Sequence, residues 1–152
     1  MSPIKRLVSK QLGELLKERN IITDEQLKEA LDLQRQKGGL IGEILISLGY
    51  AKEEEIAQAL TVQYGFPYLP LDNYEIDREI IKLIPEDLVK KYGVIPIDKI
   101  GSTLTVAMVN PLNINTLEEL ESITKCTVQP FVTTSTSFQK AFKKYYQEKS
   151  GK

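Results

Sequence analysis

The first 65 residues repeat themselves at a constant offset of 29. Gly13 pairs with Gly42, Glu14 with Glu43, Leu16 with Leu45, Ala30 with Ala59, Leu31 with Leu60, and Gln34 with Gln63. Leu12/Ile41, Leu15/Ile44 and Leu27/Ile56 agree in type. A duplicated segment has to adopt one local shape twice, so the elements expected in one copy are expected in the other. Leu12, Leu15 and Leu16 lie at helical spacing, as do Leu27, Ala30 and Leu31. Between them, Thr23 and Gln26 fit a capping box that starts the second helix. The second copy has Ile41, Ile44, Leu45 and Leu48 stopped by Gly49, then a helix from about Lys52 to Tyr64. Each copy is therefore a helix–turn–helix unit. One unit cannot bury its apolar face alone, so the two are expected to pack together as a small bundle.

The pattern changes at Tyr64-Gly-Phe-Pro67. Two prolines forbid helix from Phe66 to Leu71, so this stretch is extended. Ile76, Ile80, Leu83 and Ile84 then restore a helical period, and Pro85 is placed to open another helix at its first position. Val94–Ile97 and Leu104–Met108 read as strands joined through Gly101. A helix follows over Ile114–Ile123, then a strand over Thr127–Val132. Phe138, Ala141, Phe142, Tyr145 and Tyr146 complete an amphipathic helix. The expected fold class is α+β: a helical bundle of two helix–turn–helix repeats over residues 1–65, then a small α/β subdomain over residues 66–152 with a mixed or antiparallel sheet.

Composition narrows the chemistry. The 152 residues contain no histidine, which removes Ser-His-Asp and Cys-His nucleophile pairs and His-ligated metal sites. A single cysteine, Cys126, excludes an intrachain disulfide framework. With 20 basic and 21 acidic residues the net charge is -1, which argues against DNA or RNA as a partner. No apolar run approaches the ~20 residues of a membrane span. No apolar stretch of signal-peptide type follows the start, so a cytoplasmic protein is expected. The paired carboxylates, such as Glu118 and Glu119, read as helix-start residues and not as a catalytic pair.

The order and spacing of these segments resemble the N-terminal domain of the assembly ATPases of type II secretion and type IV pili. The tandem motif of that family runs from Gln11 to Gln34 in the first copy and from Leu40 to Gln63 in the second. Ile84-Pro-Glu, Val94-Ile-Pro-Ile, Leu104 to Pro111 and Phe138 to Tyr146 also stand in the family's order. In the family this domain precedes an ATPase core. The phosphate loop of such a core, Gly-x-x-x-x-Gly-Lys-Ser/Thr, is absent from these residues, so no ATP hydrolysis by that mechanism is expected. The resemblance leaves open an excised N-domain and a stand-alone relative.

What the resemblance implies is a non-catalytic regulatory or docking module. It would bind the cytoplasmic part of an inner-membrane platform protein and so lie at the membrane through that partner. The alternative is a cyclic di-GMP receptor, with the dinucleotide as ligand and no other cofactor. Two similar protein units suit a ligand with two equivalent halves. The positions that carry this reading are Gln11, Leu12, Gly13 and Gln34 in the first copy. In the second they are Leu40, Ile41, Gly42, Gly49 and Gln63, and Asn110 joins them from the α/β half. Glycines admit close backbone approach, aliphatics cover base faces, and the glutamines offer amide hydrogen bonds. The family's motif arginine is Gln11 in one copy and Leu40 in the other, and its central glycine is Asn20 in the first. Losing two charge-assisted contacts of about 1.5–3 kcal/mol each weakens a dianionic ligand by roughly a hundredfold or more. Lys10, Lys17, Arg19 and Lys37 are the nearby cations. The competing reading gives Gly13 and Gly42 to helix packing alone and Gln34 and Gln63 to solvated helix ends.

Overall fold

A computed structural model describes residues 12–147 of the chain. The first helix pair is α1 (Leu12–Glu18) and α2 (Asp24–Lys37), and the second is α3 (Ile41–Ser47) and α4 (Glu53–Tyr64). All four helices start at positions related by the 29-residue offset. The duplication extends to single hydrogen bonds. At the end of α1, Asn20 N–H donates to Lys17 O at 3.0 Å and Ile21 N–H to Leu16 O at 2.9 Å. At the end of α3, Gly49 donates to Ile46 O and Tyr50 to Leu45 O, both at 3.0 Å. This paired pattern closes a helix through one left-handed residue. Asn20 (φ 62°) and Gly49 (φ 80°) both adopt that conformation. Asparagine is among the few side chains that tolerate it, which is why the first copy folds without the glycine.

The capping box is present at Thr23. Its Oγ1 accepts from Gln26 N–H at 3.1 Å, and Gln26 Oε1 accepts from Thr23 N–H at 2.9 Å. The second unit keeps only the return half, Lys52 N–H donating to Glu55 Oε1 at 2.9 Å, because a lysine offers no acceptor.

Close approach explains both repeat glycines. A methyl group on Gly13 would stand 2.5 Å from Leu27 Cδ1, and one on Gly42 would stand 3.6 Å from Ile56 Cδ1. Leu27 and Ile56 are themselves counterparts. Gly42 is crowded further by Leu12 of the first unit, at 3.3 Å. Leu16, Ala30, Leu45, Ala59 and Leu60 fill the bundle core.

The α/β half holds α5 (Arg78–Ile81), α6 (Glu86–Tyr92), β1 (Val94–Ile100), β2 (Thr103–Met108), α7 (Ile114–Thr124), β3 (Thr127–Val132) and α8 (Ser135–Phe142). The sheet is mixed, with order β1-β2-β3; β1 and β2 are antiparallel, β2 and β3 parallel. A two-residue turn at Gly101-Ser102 joins the hairpin, and α7 is the crossover that parallel pairing requires. The extended linker adds to the β3 edge: Leu69 N–H donates to Val132 O and Val132 N–H to Pro67 O, both at 2.8 Å. Phe138, Phe142 and Tyr146 stack in series along one face of α8 and the turn after it.

Two sequence expectations need correction. The helical period from Ile76 to Ile84 yields only the single turn of α5, since Ile84 precedes a proline and is held out of helix. Pro85 is the N-cap and not the first helical residue; its ψ of 145° is extended, and α6 starts at Glu86.

Phe66, Leu112 and Val132 bury their side chains in the bundle core. Packing therefore crosses the sequence boundary placed at residue 65.

Equivalent caps should fail equivalently. Asn20→Ala and Gly49→Ala are each expected to lose about 1–2 kcal/mol in urea unfolding, the cost of a Cβ in the left-handed region. Asn20→Gly should lose nothing.

Candidate functional site

Helix α1 begins beside the Asn110–Asn115 segment, the loop after β2 and the start of α7. Between them lies a cavity of about 350 Å³. Leu12, Gly13, Glu14, Leu27, Leu31 and Gln34 of the first unit line one side. Leu40 and Ile41 come from the start of the second unit, Asn110, Leu112 and Asn113 from the loop, and Asn115 from the first turn of α7. Six of the ten candidate residues meet here: Leu12, Gly13, Gln34, Leu40, Ile41 and Asn110. Gly42 lines the adjoining cleft of about 20 Å³, which shares Leu12, Leu40, Ile41 and Asn110 with the larger cavity. Gly49 sits at the far end of α3, and Gln63 is exposed on the last turn of α4; neither lines either space. Gln11 lies outside the described residues.

Local hydrogen bonds set the walls. Gln34 Nε2 donates to Gly39 O at 3.0 Å, which ties the end of α2 to the turn leading into Leu40. Asn110 Oδ1 accepts from Leu112 N–H at 3.1 Å, and Asn113 Oδ1 accepts from Thr116 N–H at 3.2 Å as the N-cap of α7. Asn110 turns the chain here, and Asn113 and Asn115 were not among the residues the sequence singled out. Their signal was present, as an N-cap asparagine opening a helical period, but it points to structure and not to a cavity.

The cavity is polar and nearly uncharged. Among its described lining residues the one ionisable group is Glu14, and none is basic. Lys17 bridges Glu14 at 3.5 Å and Asp24 at 3.0 Å. The Asp24 hydrogen bond, then the charges of Asp24 and Glu14, hold the Lys17 ammonium above its ordinary pKa. Lys17 is thus committed to carboxylates. Arg19 and Lys37 do not line the cavity, and Lys10 lies outside the described residues.

Leu40 has a packing role at this wall. Leu40 Cδ1 and Val109 Cγ2 close over Gly93, where a methyl group would stand 2.8 and 2.7 Å from them. The side chain at this motif position therefore joins the second unit to the α/β half. Thr133, 2% exposed, carries a buried hydroxyl with no partner in the adjoining cleft. Cys126 is buried before β3, with Sγ 3.3 Å from Thr124 O. No group of three or more His, Cys, Asp or Glu side chains among the described residues is placed to hold a metal ion.

Residues 64–152 match the MshEN domain family. The chain belongs to that family. A wider match spans both halves of this MshEN domain. It is 34% identical over 142 residues to the type IV pilus assembly ATPase PilB of Myxococcus xanthus, covering 93% of the chain and 25% of that relative. The chain thus spans a quarter of that ATPase's length. Among solved structures, MshE with cyclic di-GMP superposes with a TM-score of 0.64 at 29% identity, covering 91% of this chain and 100% of that one. The N-terminal domain of XpsE superposes with a TM-score of 0.70 at 15% identity, covering 92% and 99%, and shares the fold. These 152 residues hold no Gly-x-x-x-x-Gly-Lys-Ser/Thr phosphate loop, and they align with only part of the Myxococcus xanthus pilus assembly ATPase. No helix among the described residues is long and apolar enough to cross a membrane.

Two substitutions test the walls of this MshEN domain. Thr133→Val replaces an unsatisfied hydroxyl by a methyl of the same shape and should raise stability by up to about 1 kcal/mol in urea unfolding. Leu40→Arg should lower it by about 1–2 kcal/mol, because the contact over Gly93 and Val109 is lost.

Proposed function

We propose that this domain is a regulatory module of a pilus or secretion ATPase, and that its cavity takes cyclic di-GMP. The observation that carries the reading is convergence. Motif residues of both repeats and Asn110 of the α/β half, far apart in sequence, line one cavity. MshE, of similar fold and 29% identical, has been solved with this ligand. In the cavity Leu12, Leu31 and Ile41 would cover a guanine face. Gly13 lets backbone approach, and the asparagine amides supply donors and acceptors to base edges. Without a basic residue in the described wall, affinity is weak and rests on apolar cover and neutral hydrogen bonds.

Docking to the cytoplasmic part of an inner-membrane platform protein is a second reading, with the domain in the cytoplasm and peripheral to the membrane through that partner. A groove of about 250 Å³ between α4 and Tyr68 supports it. Tyr68, 46% exposed, and Ala57 of α4 give this groove its apolar lining.

Calorimetric titration of cyclic di-GMP tests the first reading. Asn115 is exposed at the cavity, so a charge there changes the field without disturbing the core. Asn115→Arg should strengthen binding by roughly 3–5-fold and Asn115→Glu weaken it by a similar factor, as expected for a rim charge of about 1 kcal/mol. Identical isotherms for the two variants, or no heat with Asn115→Arg at tens of micromolar ligand, would falsify this reading.

A further inference from the structure

The two units present equivalent faces to different surroundings. In the first, Gly13, Glu14 and Leu27 open on the cavity of about 350 Å³. Their counterparts Gly42, Glu43 and Ile56 line the cleft of about 20 Å³, room for little more than one water. The Thr133–Ser135 stretch after β3 forms the opposite wall of this narrow cleft.

Two carboxylates of the second unit hold the end of that stretch, at Ser135, and the start of α8 that follows it. Glu43 Oε2 accepts from Ser135 Oγ at 2.9 Å and from Gln139 Nε2 at 3.0 Å. Glu53 Oε1 accepts from the Thr136 backbone N–H at 2.8 Å. Thr136 lies in the first turn of α8, where the helix dipole favours negative charge. Glu14, the counterpart of Glu43, is bridged by Lys17 of its own helix instead. The hydroxyl left unpartnered, Thr133 Oγ1, sits inside the closed cleft.

We infer that Glu43 and Glu53 form a latch that keeps the Thr133–Ser135 stretch in the cleft of the second unit and so competes with a ligand for it. This rests on the ligand reading above. With the latch closed, one half of a two-fold ligand finds the open cavity and the other half is excluded. Releasing it widens the cleft into continuity with the cavity through Leu12, Leu40 and Ile41, and frees the Thr133 hydroxyl to meet a polar group of the ligand.

The test compares Glu43→Ala, Glu53→Ala, the double variant and Glu14→Ala by amide hydrogen exchange and by calorimetry with cyclic di-GMP. The latch predicts that amides of Thr134 to Gln139 exchange about tenfold faster or more in the double variant and at the native rate in Glu14→Ala. Affinity should rise about tenfold in the double variant, the scale of one charge-assisted hydrogen bond. Native exchange in a folded double variant overturns the latch. So does faster exchange with unchanged affinity in protein that binds the ligand. Faster exchange with no binding by any of the four proteins discards the ligand reading and supports the latch. If the double variant does not fold, Ser135→Ala removes one donor at Glu43 and is scored in the same way, with a smaller increase expected.

Discussion

Close helix contact at two glycines organises this domain. Gly13 lets Leu27 lie against α1, and Gly42 lets Ile56 and Leu12 lie against α3. A methyl group at Gly13 would run into the Leu27 side chain and one at Gly42 would crowd the Leu12 side chain, and the cavity wall is made of those helices. The left-handed caps at Asn20 and Gly49 act with the glycines, because they turn each short helix back into its partner at one angle. Glycine weakens a helix by roughly 0.5–1 kcal/mol relative to alanine. That cost is offset by burial of Leu15, Leu16, Leu45 and Leu60 in the core that the close approach creates.

Duplication makes the units alike, but the α/β half breaks the symmetry. It offers the first unit a loop of asparagines and the second unit a Ser/Thr stretch tied to two carboxylates. One face is left open and the other filled. Leu40 and Gly93 set how the second unit meets the sheet, so the opening beside Asn110 depends on contacts that lie partly outside it. Among the described lining residues of the open cavity the one ionisable group is a carboxylate, which gives a dianion no partner of opposite charge there.

Much of this was legible in the sequence, and for identifiable reasons. The 29-residue offset forecast two helix pairs, because caps are written locally in Thr23, Gln26 and Gly49; that Asn20 closes α1 as Gly49 closes α3 emerged only from the structure. The three strands were located, but β1 runs three residues past Ile97 to Ile100 and β2 starts one residue early at Thr103. The α5 region was misread because apolar spacing alone cannot see that Pro85 denies helix to Ile84. Asn113 and Asn115 were overlooked because their place at the cavity is fixed by how the α/β half docks on the bundle, a long-range event with no local mark. Gln63 was included as the counterpart of Gln34, yet among the described residues it lines neither the cavity nor the adjoining cleft.

The central claim is that one cavity, between the first unit and the Asn110–Asn115 segment, is where this domain meets its ligand. Amide chemical-shift mapping during a cyclic di-GMP titration tests it most directly. The account predicts saturable shifts at Gly13, Gln34, Ile41 and the Asn110–Asn115 segment, with Gly49 and Gln63 unmoved. Shifts confined to the outer face of α4, or none at saturating ligand, would contradict it.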